Sequence, residues 1–223
     1  MNMLSASPIS LGLIIGALEV VGLLGTVGLF VVIVVANRAE ADPTHRRPLA
    51  VYLFGASFVT IWTALIGSVA IVASLVELIG SHPATFSQAI HPVGDASARG
   101  AVLGAIVLLV SVAILVTHLR AGMRLALATD PESPLTRRVG QSYVAAVAFV
   151  SVLVTAIAVV VVAYAIFQLI APGVFLSSGR IPTLRMLLDA LYVALAAGAL
   201  VWTHLRLPVS PMAKPASVPP PTA

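Results

Sequence analysis

The sequence predicts an all-α transmembrane protein. Five helices are expected to span the membrane: the last four form a bundle with pseudo-twofold symmetry, and the first packs at its periphery. Three observations carry this reading. Hydrophobic residues fill 60% of the 223 positions and charged residues 9%, with a mean hydropathy of +1.09, against about 25% charged residues in a soluble domain. Twelve basic and eight acidic side chains cannot clothe a water-facing surface around so much Val, Leu, Ile and Ala. The apolar residues are gathered into five long runs, and the second and third of these recur as the fourth and fifth.

The first run covers residues 10–36, the second 49–79, the third 100–119, the fourth 142–170 and the fifth 186–205. Each can cross a hydrocarbon core of ~30 Å at ~1.5 Å per residue. A signal peptide is the rival for the first run, and Ala39-Glu40-Ala41 resembles a cleavage site. No basic residue precedes that run, however, and it exceeds the ~7–15 residues of a signal core. The turn cluster Ala41-Asp42-Pro43-Thr44-His45 stops the first helix. The third helix is expected to continue past the membrane through Arg120 to Ala128, until Asp130-Pro131-Glu132-Ser133-Pro134 breaks it. From Leu207 the chain carries Pro208, Pro211, Pro215, Pro219, Pro220 and Pro221, and reads as a disordered or polyproline II tail. That tail is an inert solvated end or a docking peptide. The units are thus 1–45, 46–120, a connection at 121–136, 137–206, and the tail at 207–223.

Basic residues set the orientation. Arg38, Arg46, Arg47, Arg120, Arg124, Arg137, Arg138, Arg206 and Lys214 share one side; only Arg99, Arg180 and Arg185 fall on the other. Nine against three places the N-terminus outside and the C-terminus in the cytoplasm, in a multi-pass protein of a bacterial cytoplasmic membrane. The net charge of +4 therefore reads as topology, and no nucleic-acid partner is expected.

Self-comparison exposes an internal duplication. A shift of 91 lays Arg46-Arg47 on Arg137-Arg138, Tyr52 on Tyr143, Phe58-Val59 on Phe149-Val150, Glu77 on Gln168 and Leu78-Ile79 on Leu169-Ile170. A shift of 86 lays Arg99 on Arg185 and Thr117-His118-Leu119-Arg120 on Thr203-His204-Leu205-Arg206. Two helices per unit give both copies the same orientation, related by an axis along the membrane normal. The doubled unit, opened by Arg-Arg-x4-Tyr and closed by His-x-Arg, resembles an uncharacterised bacterial integral-membrane family of duplicated two-helix domains. The resemblance covers roughly residues 46–206. It implies the architecture and carries no activity.

His118 and His204 are the first candidates for chemistry. They sit at equivalent helix ends and face each other if both turn toward the pseudo-axis. Two imidazoles presented across a bundle suit a b-type haem, with Arg120 and Arg206 placed to pair with its propionates. The simpler role is a helix-end histidine in contact with the helix dipole and headgroups. Glu19 lies within the first run, on one face with Gly12 and Gly16. It reads either as hydrogen-bonding glue between helices or as a proton or cation relay. Arg46, Arg47, Arg137 and Arg138 read as the topology signal in contact with anionic headgroups. Tyr52, Tyr143 and Trp202 suit an interfacial belt, whereas Trp62 is deeper and reads as a packing residue. His45, His82 and His91 fall in loops without metal-ligand spacing.

Several chemistries are excluded. The absence of Cys removes disulfides, thiolate metal sites and Cys nucleophiles. No Walker loop, His-Glu-x2-His or Gly-x-Ser-x-Gly occurs. The expected function is that of a non-catalytic structural or accessory subunit of a larger membrane complex. It needs no cofactor, and its partners are the bilayer and other subunits, with no small-molecule substrate. The alternatives are a haem b electron carrier built on His118 and His204, and a small transporter or channel using Glu19.

Overall fold

A computed structural model of the chain describes residues 46–79, 93–128, 133–171 and 179–210. The expected first helix, Glu19, His45, His82, His91 and the tail beyond Ser210 lie outside them. Four helices make up the described part: α1 (Arg46–Val76), α2 (Val93–Ala126), α3 (Ser133–Ile170) and α4 (Arg180–Leu205). No strand occurs among the described residues. All four are long and apolar enough to cross a membrane. The chain is a polytopic α-helical membrane protein.

Each helix begins before the apolar run that announced it. α3 starts at Ser133 and α2 runs on to Ala126, so the connection expected over 121–136 contracts to a few residues. The arginines assigned to loops, Arg46, Arg47, Arg137, Arg138, Arg180 and Arg185, are therefore helical. The physical reason is that apolar composition marks depth in lipid, whereas a helix continues through polar residues such as Arg137 and Arg138. Pro48, Pro134 and Pro182 occupy first turns, where the fixed φ suits the helix and the missing N–H has no helical acceptor to lose. Gly179 enters α4 with φ +104°, a left-handed conformation that strains any residue with a Cβ.

Packing is closest within the sequential pairs, α1 on α2 and α3 on α4. α1 and α3 also touch each other and the remaining helices, which leaves α2 and α4 on opposite flanks. Burial agrees: 44% of the apolar stretch of α1 is inside the bundle, against 11% of that of α2. Where α1 and α2 cross, Gly67 and Gly104 bring the two backbones together. A Cβ on Gly67 would stand 2.9 Å from the Gly104 carbonyl oxygen, and one on Gly104 would stand 2.7 Å from that of Gly67. Small residues permit such an approach, which is how helices gain contact in lipid.

The core lies along α1 and α3. Phe54, Phe58, Tyr143 and Val147 are fully buried, with Trp62 stacked edge-on against Phe58. Trp62 is thus the packing residue its position implied. The tail departs from expectation at its start. Residues 207–210 turn back, Ser210 N–H donating to the Leu207 carbonyl, and Val209 is buried in the core beside Gly140. Val209 supplies the apolar anchor that the proline-rich composition of the tail concealed.

Candidate functional site

Matched side-chain contacts between helices occur at both ends of the bundle. At the arginine-rich end, two tyrosine–histidine pairs form with matching geometry. The hydroxyl of Tyr52 on α1 lies 3.3 Å from Nε2 of His118 on α2. That of Tyr143 on α3 lies 3.0 Å from Nε2 of His204 on α4. Both pairs have ring centroids 5.6 Å apart, with interplanar angles of 63° and 60°.

Local helical geometry fixes each imidazole. Nδ1 of His118 lies 2.9 Å from the Ile114 carbonyl, and Nδ1 of His204 lies 2.9 Å from the Leu200 carbonyl. A carbonyl only accepts, so Nδ1 carries the hydrogen in both rings. In the neutral ring Nε2 then accepts, and the tyrosine hydroxyl donates to it. The preceding threonines turn inward on their own helix, Thr117 donating to the Ala113 and Ile114 carbonyls, and Thr203 to those of Ala199 and Leu200. Each Thr-His dipeptide is thereby a pre-set hook, and each Tyr closes it onto the neighbouring helix.

The environments of the two pairs differ. Tyr52 is 62% exposed and His118 is half-buried, whereas Tyr143 is fully buried and His204 nearly so. Tyr143 is therefore no belt residue, unlike the exposed Tyr52 and Trp202. Nor do the two histidines face one another. They ride on α2 and α4, the flanking helices, and each is turned to the tyrosine of its own pair.

The arginines at this end divide in the same way. Arg206 lays its guanidinium over Trp202, 3.9 Å from the ring centroid. Arg120, its counterpart, has Val116 at the position matched to Trp202 and is exposed. Arg46, Arg137 and Arg138 are exposed, and Arg47 is buried within the bundle.

At the opposite end a second pair of matched contacts appears. Ser97 donates to Glu77 at 3.1 Å, and Thr183 donates to Gln168 at 3.3 Å. The shifts that align the two halves equate Ser97 with Thr183 as they equate Glu77 with Gln168. The alignment of Glu77 with Gln168 was the available signal; Ser97 and Thr183 went unnoticed because small hydroxyl residues are common in apolar helices. Arg185 donates from Nε and NH2 to the Ile79 carbonyl, at 3.1 and 2.6 Å, and so joins the start of α4 to the turn that follows α1. Asp189, one turn on, has Arg185 and Glu77 as its charged neighbours. Among the described residues no group of three metal-ligating side chains occurs.

No family model matches this chain, and no match to it was found among curated proteins or solved structures.

Proposed function

We propose that this chain is a duplicated, non-catalytic membrane protein acting as a structural or accessory subunit of a larger complex in a bacterial cytoplasmic membrane. One observation carries the reading: both histidines are engaged at both ring nitrogens, as clasps between neighbouring helices. Groups committed in this way stabilise a bundle. The matched contacts at both ends support the duplication, and with it the likeness to duplicated two-helix membrane families. Its partners on this reading are the bilayer and neighbouring subunits, with the N-terminus outside.

A second reading has one observation in its favour. Anchoring Nδ1 on a carbonyl is how ligand histidines are held, with Nε2 left for the metal. A haem between His118 and His204 requires both tyrosines to leave and the flanking helices to converge. The spectrum of protein purified from its own membrane decides between the readings. A colourless preparation that migrates, after mild extraction, as an assembly larger than the 22.9 kDa chain supports the subunit reading. A Soret band and a sharp reduced α band, both lost in His118→Ala or His204→Ala, establishes the haem protein instead. Migration as a lone colourless chain after cross-linking in intact membranes counts against both.

A further inference from the structure

The two halves differ at one place that the clasps do not use. In the second half Arg206 is occupied by Trp202. In the first half Arg120 has no such ring. Arg120 and Arg124 stand one turn apart on the exposed face of α2, and neither has a hydrogen-bond or ion-pair partner among the described residues. Beside them opens a groove of about 500 Å³ walled by Val116, Leu119, Met123 and Leu207, with the two arginines as its polar members.

We propose that this groove binds one anionic phospholipid, its phosphodiester held by Arg120 and Arg124, its glycerol backbone against Met123 and its acyl chain laid along Leu119 and Val116. Depth, charge and shape each point to that occupant. The apolar run of α2 ends at Leu119, so Arg120 stands at headgroup level and Arg124 one turn, ~5.4 Å, further out. Side chains four apart on a helix are neighbours, and two guanidinium forks bracket a phosphodiester as an ammonium cannot. The charge on this side is positive on balance, nine basic residues outnumbering the four acids Glu40, Asp42, Asp130 and Glu132 of the connecting sequences. Among the described residues this end carries Arg46, Arg47, Arg120, Arg124, Arg137, Arg138 and Arg206 and no acid. A soluble phosphate compound has no use for the apolar wall. A zwitterionic lipid brings an ammonium into a field that repels it. A membrane-embedded groove with a cationic lip fits a lipid of net negative charge.

The test uses the full chain in mild detergent, with native mass spectrometry to count retained lipid. The probes are phosphatidylglycerol, phosphatidylcholine of the same acyl chains, and inorganic phosphate. Phosphatidylglycerol is expected to be retained over phosphatidylcholine. Arg120→Gln and Arg124→Gln are each expected to weaken its retention by roughly fivefold, the worth of one basic residue at an anionic surface. Met123→Trp keeps both charges and fills the groove, and is expected to lower retention as well. Arg99→Gln/Arg180→Gln removes two exposed charges at the opposite end and is expected to change nothing. Thermal melting of each variant without lipid separates lost binding from lost folding. Four outcomes overturn the proposal: equal retention of phosphatidylcholine; unchanged retention in either groove arginine variant; unchanged retention in Met123→Trp; or an equal loss in the opposite-end control, which reduces the effect to bulk charge. A fifth is stabilisation by inorganic phosphate equal to that by phosphatidylglycerol, which makes the site one for free phosphate.

Discussion

Phe54 of the first helix pair lies against Tyr143 of the second, with ring centroids 5.3 Å apart and planes inclined by 36°. Gly122 and Gly140 leave room for the Phe54 ring, each presenting backbone where a Cβ would stand 3.1–3.2 Å from it. This contact makes the two tyrosine–histidine clasps unequal. Phe54 covers Tyr143, and the position matched to Phe54 in the second pair is Ala145, which is exposed and covers nothing. Identical local geometry therefore sits in a dry site on one side and an open site on the other.

Removal of the two hydroxyls is expected to have unequal effects. Tyr143→Phe leaves Nε2 of His204 buried without a donor, at a cost of about 1–3 kcal/mol. Tyr52→Phe leaves Nε2 of the half-exposed His118 able to find water or a headgroup. Its cost is expected near the ~0.6 kcal/mol average of interhelical polar contacts in membranes. Unfolding of both variants in one detergent measures the difference, and equal losses contradict the assigned environments.

The glycines separate in the same assay. Gly67→Ala and Gly104→Ala each drive a methyl into the backbone of the facing helix, and overpacking of this kind costs about 1–3 kcal/mol. Gly55 and Gly198 have no atom within 4 Å of the added Cβ. Alanine there is expected to be neutral or to stabilise by up to about 1 kcal/mol, through the lower helix propensity of glycine. A tolerated Gly67→Ala contradicts the close crossing of α1 and α2.

How much of this was legible in the sequence follows from what each signal measures. Hydropathy located four described helices because lipid admits few other structures. It misplaced their ends, since polar residues such as Arg137 and Arg138 continue a helix without adding to an apolar run. The shifts picked out Tyr52, Tyr143, His118 and His204, but not their pairing. The partners are 66 and 61 residues apart, and only the packing of α1 on α2 and α3 on α4 joins them. Tyr143 was mistaken for a belt residue because its cover, Phe54, comes from the other pair and has no counterpart in its own.

Arg185 gives a test of how the two pairs are held at their other end. Its fork donates twice to the Ile79 carbonyl in the turn that follows α1. Arg185→Ala is expected to cost about 1 kcal/mol, below the range of buried charged hydrogen bonds because the site is partly exposed. Arg185→Lys keeps the charge but not the fork and is expected to recover only part of that loss. Full recovery by Lys indicates an electrostatic role toward Asp189 and Glu77 in place of the fork.

The orientation of the whole bundle is open to a direct measurement, because the chain contains no Cys. A single introduced thiol therefore reports one position without background. The nine-to-three distribution of basic residues predicts that the links between α1 and α2 and between α3 and α4 lie outside the cell membrane, and the link between α2 and α3 inside. Ser81→Cys and Ser178→Cys are expected to react with an impermeant maleimide in intact cells, and Ser133→Cys only after the cells are opened. The same orientation puts the tyrosine–histidine clasps and the Arg120–Arg124 groove at the cytoplasmic leaflet, and the Glu77–Asp189 end outside. Labelling of Ser133→Cys alone in intact cells reverses the bundle. Arg120 and Arg124 would then meet the outer leaflet, and the positive-inside reading of this chain would be lost.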